Sequence, residues 1–273
     1  MTVREAIKKL SDAGIESARA EVAYMLEAIC GIEASRIPLM YGDEIENAAL
    51  CDAIEKRCAH TPLQYVLGKC EFFGLEFAVT PDCLCPRPDT EISVETALSL
   101  LPKNAEFLEL CTGSGCISIS LCKTREDLSG IATDKFEGTL AVAKKNADAH
   151  GVLDRLSLVC ADLFDDPDYI GERKFDAIVS NPPYIPTKDI ELLALDVKKE
   201  PLVALDGGFD GLDFYRFIVS EYKKYLKPDG IFIFEIGYDQ GDALKSIAER
   251  NGFECRIVKD LGKNDRVAAL TRS

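Results

Sequence analysis

No stretch of the sequence stays apolar for the ~18 residues that a membrane-crossing helix requires, so no membrane association is expected. The amino terminus breaks its apolar pattern at Lys8 and Lys9 and offers no small-residue cleavage site. A secretory signal is therefore not expected, and a cytoplasmic address follows by default. Positive charge is scarce: 32 Lys and Arg stand against 47 Asp and Glu, a formal net charge of −15. Gripping a nucleic-acid backbone takes clustered Lys and Arg, so a stable nucleic-acid partner is not expected and a protein or small-molecule substrate is favoured. Only two histidines occur, His60 and His150, and they stand apart. The 11 cysteines are odd in number and mostly scattered singly through apolar stretches, and the closest pair, Cys83 and Cys85, lacks the CxxC spacing. Neither a metal site nor a disulfide framework is expected; the thiols read as small hydrophobes in a reducing compartment. Internal repeats and low-complexity linkers are absent.

The 273 residues are 47% apolar, enough for one large α/β domain and a small second one. Residues 1–63 read as a helical domain: Val3, Ile7 and Leu10, then Ala18, Val22, Met25 and Ile29, recur at helical spacing, with Gly14 and Gly31 as stops. A further helix is expected over about 43–58. Residues 64–80 change character. Tyr65-Val66-Leu67 and Phe72-Phe73 lie near Gly68 and Gly74, which predicts a hairpin linking two domains. Residues 81–273 then alternate between strand and helix. Strands are expected near 105–111, 129–134, 156–160, 175–180, 229–236, 253–259 and 265–271, with helices near 89–101, 115–125, 136–150, 211–226 and 239–251. Such alternation predicts a parallel sheet covered on both faces, its last two strands pairing as an antiparallel hairpin at the edge.

Two features of this domain carry chemistry. The first is the turn Cys111-Thr112-Gly113-Ser114-Gly115 between an apolar strand and a helix, where glycines admit a ligand close to the backbone and the helix start supplies free N–H groups. Asp134, about 20 residues on at the tip of the second strand, is placed to accept from both ribose hydroxyls, or else to cap the following helix. A pyrophosphate-binding run would need G-x-G-x-x-G, and Cys111 and Ser118 break it, so a nucleoside cofactor without phosphates fits better. At the third strand tip, Asp162 is placed to accept from an adenine amino group and Leu163 to pack on the ring.

The second feature is Asn181-Pro182-Pro183-Tyr184 at the end of the fourth strand. Two prolines hold the chain extended and remove two N–H donors, leaving carbonyls that only accept. This suits an NH₂ group on an sp² carbon. The Asn181 side-chain oxygen and the Pro182 carbonyl each accept one N–H, aiming the nitrogen at an incoming methyl group, while Tyr184 packs on the planar group. The alternative is a rigid turn after a strand. The chemistry points to amino methylation without separating glutamine from adenine or cytosine.

With these features the chain resembles the HemK/PrmC family, the protein-(glutamine-N5) methyltransferases of peptide chain release factors. The resemblance runs through Pro62-Leu63-Gln64-Tyr65 with Gly68, Phe73-Gly74, and Pro86-Arg87-Pro88-Asp89-Thr90-Glu91. It continues in Asn181 to Ile185, in Glu200-Pro201 through Ala204-Leu205 to Gly207-Gly208, in Asp210-Gly211-Leu212 with Tyr215-Arg216, and in Glu235-Ile236-Gly237 with Gln240. It implies a class I S-adenosylmethionine-dependent methyltransferase, α/β and Rossmann-like with a seven-stranded mixed sheet, behind a small helical amino-terminal domain. S-Adenosyl-L-methionine is the implied cofactor and S-adenosyl-L-homocysteine its product. Cys111 to Gly115, Asp134, Asp162, Leu163 and Asn181 resemble the cofactor site. Asn181 to Tyr184 resemble the pocket for the glutamine of a Gly-Gly-Gln loop, with the amino-terminal helices helping to grip the release factor. Arg87 and Glu91 fall in a motif that borders the active site in the family, whereas their sequence alone reads as an ion pair capping a helix at Thr90. Cys111 stands where the family usually has Gly and crowds the loop if its backbone needs a positive φ; Asp89 replaces the commoner Glu. A monomer is the default expectation. The rival readings are an adenine amino methyltransferase, which would have to extrude a base, and a non-catalytic binding module, which loss of Asn181 or of the loop glycines would have indicated.

Overall fold

The computed structural model describes residues 1–165 and 167–273, apart from the side chains of Ala34 and Pro38. Its first helices are α1 (Val3–Asp12), α2 (Ala18–Cys30) and α3 (Ala48–Cys58). Thr2 opens α1 with a reciprocal cap: its hydroxyl accepts from the Glu5 N–H while the Glu5 carboxylate accepts from the Thr2 N–H. Asn47 caps α3 by accepting from the Leu50 N–H. The facing sides of the three helices bury Leu10, Val22, Met25, Leu50 and Ile54 in a core of their own.

The hairpin expected over 64–79 forms only from residue 69. Tyr65-Val66-Leu67 lies instead in a short helix, α4 (Leu63–Leu67), ended by Gly68, and the hairpin is β1 (Lys69–Phe72) against β2 (Leu75–Ala78). Three apolar residues carry no periodicity that separates helix from strand. The turn holds Phe73 and Gly74 at φ 52° and 70°, the doubly positive geometry whose twist suits a two-residue hairpin.

Beyond the hairpin, strand and helix alternate as the sequence predicts. The elements are α5 (Glu91–Leu100), β3 (Glu106–Leu110), α6 (Cys116–Thr124), β4 (Ser129–Asp134), α7 (Glu137–Ala149), β5 (Leu156–Cys160) and β6 (Phe175–Ser180). They continue with α8 (Asp213–Phe217), β7 (Leu226–Glu235), α9 (Gly241–Arg250), β8 (Phe253–Lys259) and β9 (Asp265–Arg272). The helix expected over 211–226 is not uniform: α8 passes into a π turn at Ile218–Tyr222 and a 3₁₀ turn at Lys223–Tyr225.

The sheet order is β5-β4-β3-β6-β7-β9-β8, parallel through β7, with β9 antiparallel to both neighbours. Both faces are covered. Ala177, Val179, Ile231 and Ile233 pack under α5, α6 and α7, while Ile178, Phe232 and Phe234 pack under α8 and α9. Burial on both faces is why these strands read as continuous apolar runs rather than alternating ones. Each large side chain so buried contributes roughly 2 kcal/mol.

β3 pairs with β4 on one side and β6 on the other, so the order of the chain across the sheet reverses between β3 and β6. A crevice opens beyond the carboxyl ends of strands at such a point. The helical segment is tied to the loop after β6 by Arg57, which is buried near the end of α3. Its Nε lies 2.5 Å from Glu21 Oε2 and its Nη2 3.4 Å from Asp196 Oδ2. Among the described residues no helix is long and apolar enough to cross a membrane. All 11 cysteines are free thiols.

Candidate active site

The turn from β3 to α6 is held in a left-handed path, with Cys111, Gly113 and Gly115 at φ 59°, 57° and 81°. At Gly115 the left-handed backbone disfavours any side chain, which would also press Ile119 Cδ1 at 2.8 Å; at Gly113 it would point into open space. Beneath the turn lies Glu109, buried, which accepts from the Thr112 hydroxyl (2.6 Å) and the Ser118 N–H (3.2 Å). Burial pushes its carboxyl up to about 7 against those donors. Asn146 on α7 completes the support: its Nδ2 donates to the Ser114 carbonyl (2.9 Å) and to Ala78 (3.0 Å). The two side chains that hold the turn from beneath, Glu109 and Asn146, were not singled out from the sequence.

Asp134 accepts from the Gly113 N–H (3.0 Å) with Oδ2 and from the Phe136 N–H (3.2 Å) with Oδ1. Asp134 thus braces the glycine turn and the approach to α7, but it does not cap that helix, whose N-cap is Phe136 with no side-chain capping bond. Burial raises its pKa although the backbone donors oppose it. Asp162 pairs with Lys135 (2.7 Å) and accepts from the Phe164 N–H (3.0 Å), and together these outweigh its desolvation and lower its pKa.

Asn181 donates Nδ2–H to Thr90 Oγ1 at 3.4 Å. No donor among the described residues reaches its Oδ1 or the Pro182 carbonyl, the two acceptors that the sequence assigns to a substrate amide. Tyr184 is less exposed to a substrate than expected. Its hydroxyl lies 3.4 Å from Glu235 Oε1, its carbonyl accepts from Gln240 Nε2 (2.9 Å), and Gly207 and Gly211 pack on its backbone where a Cβ would clash. Burial, then the Glu235 charge, pushes its phenol upward.

A cavity of about 380 Å³ joins these parts. Cys111, Thr112, Gly113, Ser114, Asp134, Asp162, Leu163, Asn181 and Pro183 line it; Gly115, Pro182 and Tyr184 do not. Cys111 thus meets the condition under which it crowds the turn, and desolvation holds its thiol protonated, well above the usual range. Thr90, Glu109, Phe136 and Thr139 are wall residues that sequence reasoning missed. Phe136 alone had a readable signal, a large aromatic two residues after the acidic strand tip.

The expected pair of Arg87 with Glu91 does not form. Arg87 is ion-paired with the buried Glu200, whose other oxygen accepts from the Cys85 N–H at 3.0 Å. Glu91 accepts from the Phe73 N–H at 2.7 Å and so fixes the hairpin turn. Thr90 makes no capping bond.

Against this geometry the comparisons are specific. Residues 2–68 match the PrmC N-terminal domain and residues 90–197 the Methyltransferase small domain. The release factor glutamine methyltransferase of Geobacter sulfurreducens is 40% identical over 263 residues, 94% of this chain and 91% of its own length. That of Aquifex aeolicus is 38% identical across 99% of this chain and 95% of its own. The chain belongs to the release factor glutamine methyltransferases. A methyltransferase structure from Pyrococcus furiosus shares the fold, with a TM-score of 0.55 at 20% identity over 73% of this chain and 90% of that one. Membership in the release factor glutamine methyltransferases makes S-adenosylmethionine the methyl donor.

Proposed function

We propose that this chain methylates the side-chain amide nitrogen of the glutamine in the Gly-Gly-Gln motif of a peptide chain release factor. The reading rests on Asn181, which lines the cavity: its amide nitrogen is held by Thr90 so that Oδ1 is left for a substrate, and the carbonyl of the neighbouring, buried Pro182 meets no donor among the described residues. A primary amide offers two N–H donors on a planar nitrogen, and two fixed acceptors take both of them. That leaves the face of the nitrogen as the only direction of approach for a methyl group.

The cavity suits S-adenosylmethionine. It runs up to the backbone at Gly113, where nothing stands within 4 Å of an added Cβ. Each Asp134 oxygen takes a single backbone N–H and keeps a lone pair for a ribose hydroxyl. Leu163 and Phe136 would flank the adenine, Asp162 would accept from its amino group, and Cys111 to Gly115 would follow the ribose and amino-acid end. When bound, the cofactor supplies a methyl group on a cationic sulfur. Asn181 and Pro182 then polarise the substrate N–H bonds as the amide lone pair is drawn into the new C–N bond. The surplus proton becomes strongly acidic and leaves to water, so no strong base is needed.

The purified protein, S-adenosylmethionine and a bacterial release factor, followed by peptide mass spectrometry, test this. One added methyl on the Gly-Gly-Gln glutamine, lost with Asn181→Ala, is the expected result. An unmodified release factor alongside methylated DNA or RNA would overturn it in favour of adenine.

A further inference from the structure

Glu235 ends β7 at 1% exposure, a carboxylate buried beside the tetrapeptide with no part in the chemistry described so far. Three observations converge on it. The Tyr184 hydroxyl lies 3.4 Å from its Oε1. Glu235 Oε2 is buried without a hydrogen-bond partner among the described residues, and the buried Thr90 hydroxyl is the donor that most opposes the upward push of burial on this carboxyl. Thr90 Oγ1 in turn receives Nδ2–H of Asn181. The two polar side chains of the tetrapeptide therefore lead back to one buried group.

The direction of this chain matters because each member has few choices. An ionised carboxylate only accepts, and a threonine hydroxyl has a single proton. When that proton is turned to Glu235, Thr90 Oγ1 can only accept, and it must take the amide nitrogen of Asn181. The amide oxygen is then the atom left for the substrate. With a protonated Glu235 the logic reverses: the carboxyl donates to Thr90, Thr90 donates to the Asn181 oxygen, and an NH₂ group meets the substrate's NH₂.

We propose that Glu235 is a positioning residue for methyl transfer, fixing through Thr90 which end of the Asn181 amide faces the substrate and through Tyr184 the far end of the tetrapeptide. This rests on the reading of Asn181 as the residue that grips the substrate amide.

Burial pushes the Glu235 carboxyl up to about 7, opposed by Thr90, Arg266 and Tyr184 and reinforced by Asp89. Arg266 comes from β9 and is itself paired with Asp89 at 3.3 Å. The Glu235 charge helps raise the buried Cys116 thiol of α6, and Tyr215 from α8 donates to the Glu235 backbone carbonyl at 2.7 Å. The Arg87 charge acts on the Tyr184 phenol, opposing the upward push of burial. The positioning state is the ionised one, so it is lost on the acid side of neutrality.

The test compares Thr90→Val, Thr90→Ser and Glu235→Gln in kcat, KM and cofactor binding. It adds a ¹⁵N titration of the Asn181 side-chain amide, assigned by its loss in Asn181→Ala. Thr90→Val is expected to lower kcat roughly tenfold with cofactor affinity unchanged, and Thr90→Ser to restore it. Glu235→Gln should remove the acid limb of the kcat profile, and the Asn181 amide signals should titrate near neutrality in the wild type only. Wild-type kcat in Thr90→Val, or Asn181 signals indifferent to pH, would overturn the proposal. The titration needs no substrate. It therefore decides the matter even if the release factor proves not to be methylated, a result that would count against the proposed function alone.

Discussion

Arg87 and Glu200 form an ion pair across 113 residues of chain, and it joins the two walls of the cavity. Arg87 follows the Cys83 to Pro86 wall, while Glu200 precedes the Pro201 to Ala204 wall. Glu200 is 1% exposed in its side chain and Arg87 35%, so the carboxylate is the member that cannot return to water without unfolding.

Arg87→Ala therefore strands a buried charge. It should cost about 2 kcal/mol in urea unfolding, somewhat less than a fully buried pair because the arginine is partly solvated. The double variant Arg87→Ala with Glu200→Gln should recover much of the loss, since no uncompensated charge remains.

Asp134→Ala removes the acceptor that braces the glycine turn and that the proposed cofactor site assigns to the ribose. Cofactor affinity measured by calorimetry should weaken roughly tenfold or more, the worth of a charge-assisted hydrogen bond. Turnover at saturating cofactor should change far less.

Cys111 has a left-handed backbone, which a β-branched side chain tolerates worst. Cys111→Val should lower stability by roughly 2 kcal/mol. Cys111→Gly should stay within about 1 kcal/mol of the wild type, because relieved strain is offset by a freer unfolded chain. Thermal melting of the pair separates backbone strain from lost packing.

Glu109 and Glu235 are both pushed by burial from 4.5 to about 7. The folded state then holds these protons more tightly than the unfolded state, and the stability they contribute is complete below about pH 4.5. It declines as pH rises through neutrality. Melting temperature should fall by several degrees between pH 5 and pH 8, and Glu109→Gln should shrink that fall.

Most of the sheet was legible because strands buried on both faces, such as Phe107 to Leu110 and Phe175 to Ser180, are apolar runs bounded by turns. The glycine turn, Asp134 and Asn181 were legible because each sits at a strand tip, a place that sequence order identifies. What stayed hidden depends on contacts across distance. Arg87 was paired with its neighbour Glu91 because sequence offers near partners first, whereas its actual partner lies beyond four more strands. Glu109 and Glu235 sit in strands, where the residue type alone does not tell a buried acid from an exposed one. Tyr65 to Leu67 became helix because Pro62 and Gly68 bracket a single turn that three apolar letters could not announce. The inward position of Tyr184 follows from Gly207 and Gly211, whose lack of a side chain lets its backbone sink.

The seam between β3 and β6 has a kinetic consequence. Ser180 at the end of β6 donates to the Leu110 carbonyl at the end of β3 across 70 residues, and the cavity opens directly beyond that contact. β3 can first pair with β4 nearby in the chain, while β6 must wait for the whole intervening arm to close. The crevice is then among the last features to form. A ligand bound there acts as a staple across the two halves of the sheet, slowing their separation rather than hastening their meeting.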